Sequence, residues 1–493
     1  MTAYLKRLAS SLAAYQVADI VSKFMAVLLL PVYTRYIHPA GYGVVELLGN
    51  GVILISILVR FGMIESFLRF YYSDDDQERR DGLARRAVGF LLVSTTIVSI
   101  VLALFAAPLS KVVLGYRDPT IFRIAVLGLW SFTNLEMAYA VLRVDERLRA
   151  YATATLTNVA LTIASSVVLV VVAGEGARGL LLGNYGASTV VLLGLWWTMR
   201  DRLLPGRHEG VETHGVLLRF GLPTVPAEAS VYALSIIDRY YIFHHGRLGP
   251  SMAGLYSIAV KLAGAVAFIV RAFQYAWPPL AYSVRDDAEA ARLYGLVTTY
   301  YLLVSGLVVA GLALLGRWVL RILAAPAYFD AYKALPWVAL GWALYGLWVV
   351  FLVIAGRAKV TTRNFPAALA GLIVNVVMIV LLVPSLGIAG AGIALCGAYV
   401  VMIGVMHFLT RRAFAASFEW TRLIRLVAVL GGMSVAGELL LPTHGLVGFI
   451  SRAAVLAAMP LVLTATGFTH VAEREQARVL LARAKRGIAR EPA

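Results

Sequence analysis

FPAALAGLIVNVVMIVLLVPSLGIAGAGIALCGAYVVMIGVMHFLT, residues Phe365–Thr410, contains no Asp, Glu, Lys or Arg. A helix rises about 1.5 Å per residue, so ~20 apolar residues cross ~30 Å of hydrocarbon. The run is therefore long enough for two crossings. Pro384 and the Gly387-to-Gly392 segment mark where it reverses. A chain in lipid must satisfy its amides internally, and a barrel would show short alternating segments instead, so the run reads as a helical hairpin.

Working outward, Ala87–Ser110, Tyr151–Gly174, Leu293–Gly316 and Ala334–Gly356 are likewise free of charge. With 493 residues, 60% hydrophobic residues and a mean hydropathy of +0.80, the chain is predicted to be an all-α polytopic membrane protein. Fourteen transmembrane helices are expected, paired by short polar hinges. The first, roughly Ser10 to Tyr36, follows Lys6 and Arg7. It is too long for a signal-peptide core and carries Asp19 and Lys23, so it reads as an uncleaved helix. The lone Cys396 offers no disulfide framework.

The net charge is +17. Its clusters, such as Arg79, Arg80, Arg85 and Arg86, or Arg411, Arg412, Arg422 and Arg425, fall on one side of fourteen spans. This is the positive-inside bias, and it predicts a multi-pass protein of the inner cell membrane with both termini cytoplasmic. No nucleic-acid partner is expected.

An internal repeat is visible. At one constant offset, Pro39, Gly43, Arg60, Tyr71 and Asp75-Asp76 meet Pro250, Gly254, Arg271, Tyr282 and Asp286-Asp287. Asn158 and Asn375 add a weaker echo before Gly-Ala hairpins. Copies of six spans share a topology, so two six-helix lobes should relate by a pseudo-twofold along the membrane normal, with two extra C-terminal helices outside the repeat. The expected domains are 1–206 (helices 1–6), 207–412 (helices 7–12), 413–470 (helices 13–14) and a basic tail, 471–493. The tail reads as an amphipathic helix on the acidic inner leaflet.

Charges embedded in hydrocarbon cost ~3 kcal/mol or more and usually face a wet cavity or a partner. The expected embedded cations are Lys23, Arg60, Arg239, Lys261 and Arg271, confined to the first, second, seventh and eighth spans. Together they suggest one cationic chamber for an anionic substrate. Arg60 and its repeat mate Arg271 could each fork onto the oxygens of a pyrophosphate, although snorkelling to the inner surface is the alternative. Asp19 and Lys23, four apart, either neutralise each other or divide the work, Asp19 holding a coupling ion. Asp238 and Arg239 are candidates for a gating salt bridge. Adjacent helical residues diverge by about 100°, so they should contact different neighbours. Glu46 is a further coupling candidate, while Glu65, Glu136 and Glu228 read as counterions or helix-end residues. Pro31 interrupts the first span, Pro223 and Pro226 open the seventh, and the three are the expected hinges.

Neither a Walker-type glycine loop nor clustered metal ligands are visible, so no cofactor, no metal and no catalytic residue are expected.

Leu28-Leu29-Leu30-Pro31-Val32-Tyr33-Thr34-Arg35-Tyr36, continuing through Pro39 to Tyr42-Gly43, resembles the opening of the polysaccharide flippases. These are the O-antigen and capsule repeat-unit translocases of the multidrug/oligosaccharidyl-lipid/polysaccharide superfamily. Ser235 to Arg239, Gly254 to Ala259, Ala276-Trp277-Pro278, and Asn375 with Pro384 and Gly387–Gly392 are similar too. The resemblance implies alternating access by two lobes and a cationic cavity lined by helices one, two, seven and eight. Lipid II flippases use arginines in helices one, two and eight, where Lys23, Arg60 and Arg271 lie here.

The expected function is that of a flippase, not an enzyme. It would move a polyprenyl-pyrophosphate-linked oligosaccharide from the cytoplasmic to the outer leaflet for O-antigen, capsule or exopolysaccharide synthesis. A drug/cation antiporter of the same fold, or a membrane glycosyl polymerase or ligase, are the alternatives. Expected partners are the lipid-linked glycan, membrane lipids, and a polysaccharide polymerase with other assembly proteins; a monomer is expected.

Overall fold

The computed structural model describes residues 25, 27–73, 76–200, 212–234 and 236–469. In chain order its helices are α1 (Leu30–Tyr36), α2 (Pro39–Val59), α3 (Met63–Tyr71), α4 (Gln77–Leu104), α5 (Ala106–Leu114), α6 (Pro119–Val144), α7 (Leu148–Val167), α8 (Gly176–Thr198) and α9 (His214–Gly221). There follow α10 (Val225–Leu234), α11 (Ile237–His244), α12 (Gly249–Ser283), α13 (Asp287–Leu323), α14 (Leu335–Arg357), α15 (Asn364–Leu386), α16 (Ile388–Thr410), α17 (Trp420–Leu440) and α18 (Gly445–Ala465). The described residues contain no strand.

The uncharged run that opens the sequence reading is the hairpin α15–α16. Its reversal is a single residue, Gly387, at φ +60°. That left-handed conformation costs glycine nothing and any L side chain ~1 kcal/mol or more. Pro384 lies within the last turn of α15. Other boundaries also follow local chemistry. Asp76 caps α4 by accepting from the Glu78 amide at 3.1 Å, and Asp118 caps α6 by accepting from the Ile121 amide at 3.1 Å. Pro39 and Pro119 occupy first helical turns, where no amide hydrogen is needed.

Among the described residues, 12 helices are long and apolar enough to cross a membrane. Their lipid-type faces are plain, with Val172, Trp197, Leu439 and Leu440 each 78 to 79% exposed. The expected first span lies mostly outside the described residues, which hold only its end, α1. The expected seventh span is broken into α9, a 3-10 turn at Leu222–Thr224, α10 and α11. Pro223 sits in the 3-10 turn and Pro226 in the first turn of α10. Both lack an amide hydrogen, so a continuous α-helical ladder cannot run through them.

The chain forms two compact units. The first takes the residues up to Ile258 with Ile322–Asp330 and Val383–Ile388, and the second takes Ala259–Arg321, Ala331–Leu382 and Ala389 onward. Within the first, Met63, Phe67, Leu83, Leu91, Leu142, Leu192 and Leu217 form a core at the junction of α3, α4, α6, α8 and α9. Within the second, one core gathers Trp277, Tyr294, Trp348, Ile354 and Met406, and another holds α17 and α18 to α13 through Leu314, Leu430 and Met459.

The repeat is written into contacts. A Cβ added at Gly43 would overlap the Pro250 carbonyl oxygen, with the Gly254 nitrogen at 3.0 Å. A Cβ at Gly254 would overlap the Pro39 carbonyl oxygen, with the Gly43 nitrogen at 3.1 Å. Each glycine thus faces the proline of the other copy, the reciprocity of a twofold-related crossing. The mates Tyr71 and Tyr282 also behave alike. Tyr71 donates to Asp145 at 2.6 Å just beyond α6, and Tyr282 to the Val353 carbonyl at 3.5 Å near the end of α14.

Candidate functional site

Arg60 stands where α2 ends. Phe61 and Gly62 follow with φ of 49° and 70°, so the chain turns off the helix axis there. This aims Arg60 at α10, where its Nη2 donates to a Glu228 carboxylate oxygen. Glu65, in the first turn of α3, lies 3.9 Å away, at the outer limit of an ion pair. The Arg60 side chain is 12% exposed and Glu228 38%. The buried Arg60 Nε has no hydrogen-bond partner. A guanidinium in this setting is neutralised from one side and keeps a donor in reserve.

Gly62 permits that turn and a second close approach. A Cβ on it would overlap the Gly221 carbonyl, and one on Gly221 would overlap the Gly62 carbonyl. Ser66 Oγ donates to the Leu217 carbonyl at 2.6 Å, and Phe70 packs edge-on to Phe220. The seventh-span segment is therefore seated on α3 directly before its proline break. Small residues allow such backbone proximity where lipid supplies no hydrophobic drive between helices.

A second cluster surrounds α11. Asp238 and Arg239 are both buried. Tyr256 of α12 donates to the Asp238 carboxylate, and the Arg239 guanidinium carbon lies 6.0 Å from the same ring centroid. The expected divergence toward different neighbours is thus corrected: the Tyr256 ring and hydroxyl are long enough to serve both residues. Glu46 of α2 interacts electrostatically with Arg239, and so does Tyr232. Tyr232 donates to Asn50 Oδ1 at 3.0 Å, one helical turn from Glu46. Asp238, Arg239 and Tyr256 therefore form one buried polar cluster, with the half-buried Glu46 in electrostatic reach of Arg239.

The other expected residues divide as follows. Lys23 and Asp19, like the 471–493 tail, lie outside the described residues. Pro31 is in the first turn of α1, after a turn at Leu29. Lys261 and Arg271 lie on the part of α12 belonging to the second compact unit, Lys261 half-buried and Arg271 exposed.

The expectation that embedded cations occur only in the first, second, seventh and eighth spans is corrected. Arg452 in α18 is fully buried. It pairs with Glu438 of α17 and donates to the carbonyls of Pro442, Leu441 and Leu314 at 3.0, 3.2 and 3.3 Å. Arg317 of α13 pairs with the same Glu438, its guanidinium 4.0 Å over the Tyr332 ring. The readable signal was an arginine and a glutamate on facing arms of the α17–α18 hairpin. Their chemistry is that of a clamp, since the arginine donates to the carbonyls that end α17 and to one within α13 rather than to a cavity.

The twelve apolar helices among the described residues, with charged networks inside them, mark a multi-pass membrane protein. The chain belongs to the polysaccharide biosynthesis protein family, which matches residues 32–333. No curated protein sequence matches it. Among solved structures, the lipid II flippase MurJ in an inward closed conformation superposes with a TM-score of 0.72 at 13% identity, over 93% of this chain and 99% of that one. An inward-facing multidrug resistance MATE family transporter of the MOP superfamily gives 0.61 at 15% identity, over 82% and 97%. A variant of the Vibrio cholerae MATE transporter VcmN gives 0.52 at 12% identity, over 82% and 93%. The fold is that of these transporters, and the family resemblance read from Leu28–Gly43 is borne out.

Proposed function

We propose that the protein is a flippase that carries a polyprenyl-pyrophosphate-linked oligosaccharide from the cytoplasmic to the outer leaflet of the inner membrane, for cell-surface polysaccharide synthesis. One observation carries the reading: Arg60, nearly buried at the end of the apolar helix α2, keeps an unused Nε donor beside its Glu228 pair. A guanidinium with a spare donor suits a diphosphate, which accepts from Nε and Nη together. The polysaccharide family and the likeness to a lipid II flippase support the same substrate class. In this reading Arg271, Lys261 and Lys23 share the headgroup's charge and the Glu46–Asp238–Arg239–Tyr256 network couples or gates its passage. The breaks at Pro31, Pro223 and Pro226 act as hinges. Polymerase and assembly proteins act downstream, and no bond is made or broken by the flippase itself. The membrane potential, worth ~2.3 kcal/mol per charge per 100 mV, is a sufficient energy source.

Reconstituted liposomes test this. Wild-type protein translocates a labelled polyprenyl-pyrophosphate glycan, and Arg60→Ala with Arg271→Ala abolishes it. Wild-type rates in that double variant reject the assignment. The MATE likeness keeps a drug antiporter as the second reading. Ethidium efflux by the same liposomes, without lipid translocation, would replace the first reading with it.

A further inference from the structure

We infer that Glu228 is an exchangeable counter-anion: it occupies Arg60 when no substrate is bound, is displaced by the diphosphate, and returns to expel it. The inference rests on the flippase reading and names how its Arg60 site loads and unloads.

Three observations carry it. Arg60 meets Glu228 through Nη2 alone, so a second donor on the same edge, Nε, stays unsatisfied although buried. Glu228 is 38% exposed against 12% for Arg60, so the carboxylate is the more accessible and more easily withdrawn partner. With its carboxylate more than a third exposed, the pair contributes only ~1 kcal/mol or less, which a diphosphate engaging both donors can outcompete. Glu228 also sits on α10, one turn past the 3-10 break at Leu222–Thr224 and two residues after Pro226. A segment joined through amide-less residues can swing as a short rod without unwinding its neighbours. Glu65 stands 3.9 Å from the same Nη2, at the limit of contact, so it is the weaker of the two counter-anions. The outcome is a site that is never left as a bare cation in hydrocarbon.

Binding of inorganic pyrophosphate and of polyprenyl pyrophosphate to the full chain in nanodiscs tests the exchange. Glu228→Gln should bind either probe about fivefold tighter, the most that a pair of ~1 kcal/mol supplies, and should translocate more slowly because release has lost its competitor. Glu228→Asp, which withdraws the charge by one methylene, should shift both readouts in the same direction by less. In an Arg60→Ala background neither substitution should change affinity. A gain with both probes makes the diphosphate the occupant; a gain with the polyprenyl form alone adds the lipid to what the site reads. Unchanged or weaker binding in both Glu228 variants, with Arg60→Ala still weakening it, overturns the exchange and leaves the flippase reading intact. Wild-type affinity in Arg60→Ala overturns both.

Discussion

The two ends of α2 solve opposite problems. At its start, Gly43 lies against Pro250 and Gly254 with backbone on backbone and no room for a side chain. At its end, Arg60 reaches out to a partly wet carboxylate and keeps a donor unused. The first contact is made by shape and is insensitive to ions. The second is made by charge, and each of its members has an alternative in water or in an anion. Within one helix, then, an immovable contact and an exchangeable one stand side by side.

The contrast can be broken from the rigid end first. Gly254→Leu should be the most damaging change, about 3 kcal/mol, because the new side chain must displace the Pro39 carbonyl of a helix that cannot yield. A thermal aggregation midpoint close to that of wild type would show that the crossing is looser than described. Arg452→Met comes next, at about 2 kcal/mol. It strips three carbonyls of the Arg452 donor and leaves Glu438 with Arg317 alone, with a discount because Glu438 is 40% exposed. Chemical unfolding should register that loss, while substrate affinity stays as in wild type. Arg60→Met should cost about 1 kcal/mol of stability or less, since its carboxylate partner is 38% exposed, yet sharply weaken pyrophosphate binding. A variant that unfolds readily would recast Arg60 as scaffold. The smallest effect belongs to salt: between ~0.1 and ~1 M the Debye length falls from about 10 to 3 Å. Pyrophosphate affinity is the measure. It should fall with salt, while the thermal cost of Gly254→Leu should not move.

How much of this could be read beforehand depends on range in the chain. The α15–α16 hairpin was legible because hydropathy and a glycine at the reversal are local properties. The repeat was legible because identical residues recur at one spacing, although that spacing could not say that Gly43 and Gly254 touch. The proline breaks at Pro223 and Pro226 were visible, whereas the interruption at Ile236 between α10 and α11 has no proline or glycine to announce it. Glu228 was expected as a counterion, but its partner lies 168 residues away, and only packing reveals it. Arg452 escaped for a different reason. A lone arginine near the end of a span looks like an interfacial residue until three carbonyls and a glutamate are found around it.

The Gly43–Gly254 crossing also bears on inheritance. Were the two halves separate, identical chains meeting through the same Pro-x-x-x-Gly segment, every mutation there would strike both faces of the contact at once. Joined in one polypeptide, the two faces are encoded separately. One copy can accumulate change while the other holds the geometry, which gives a fused chain a freedom to become asymmetric that a dimer of halves never has.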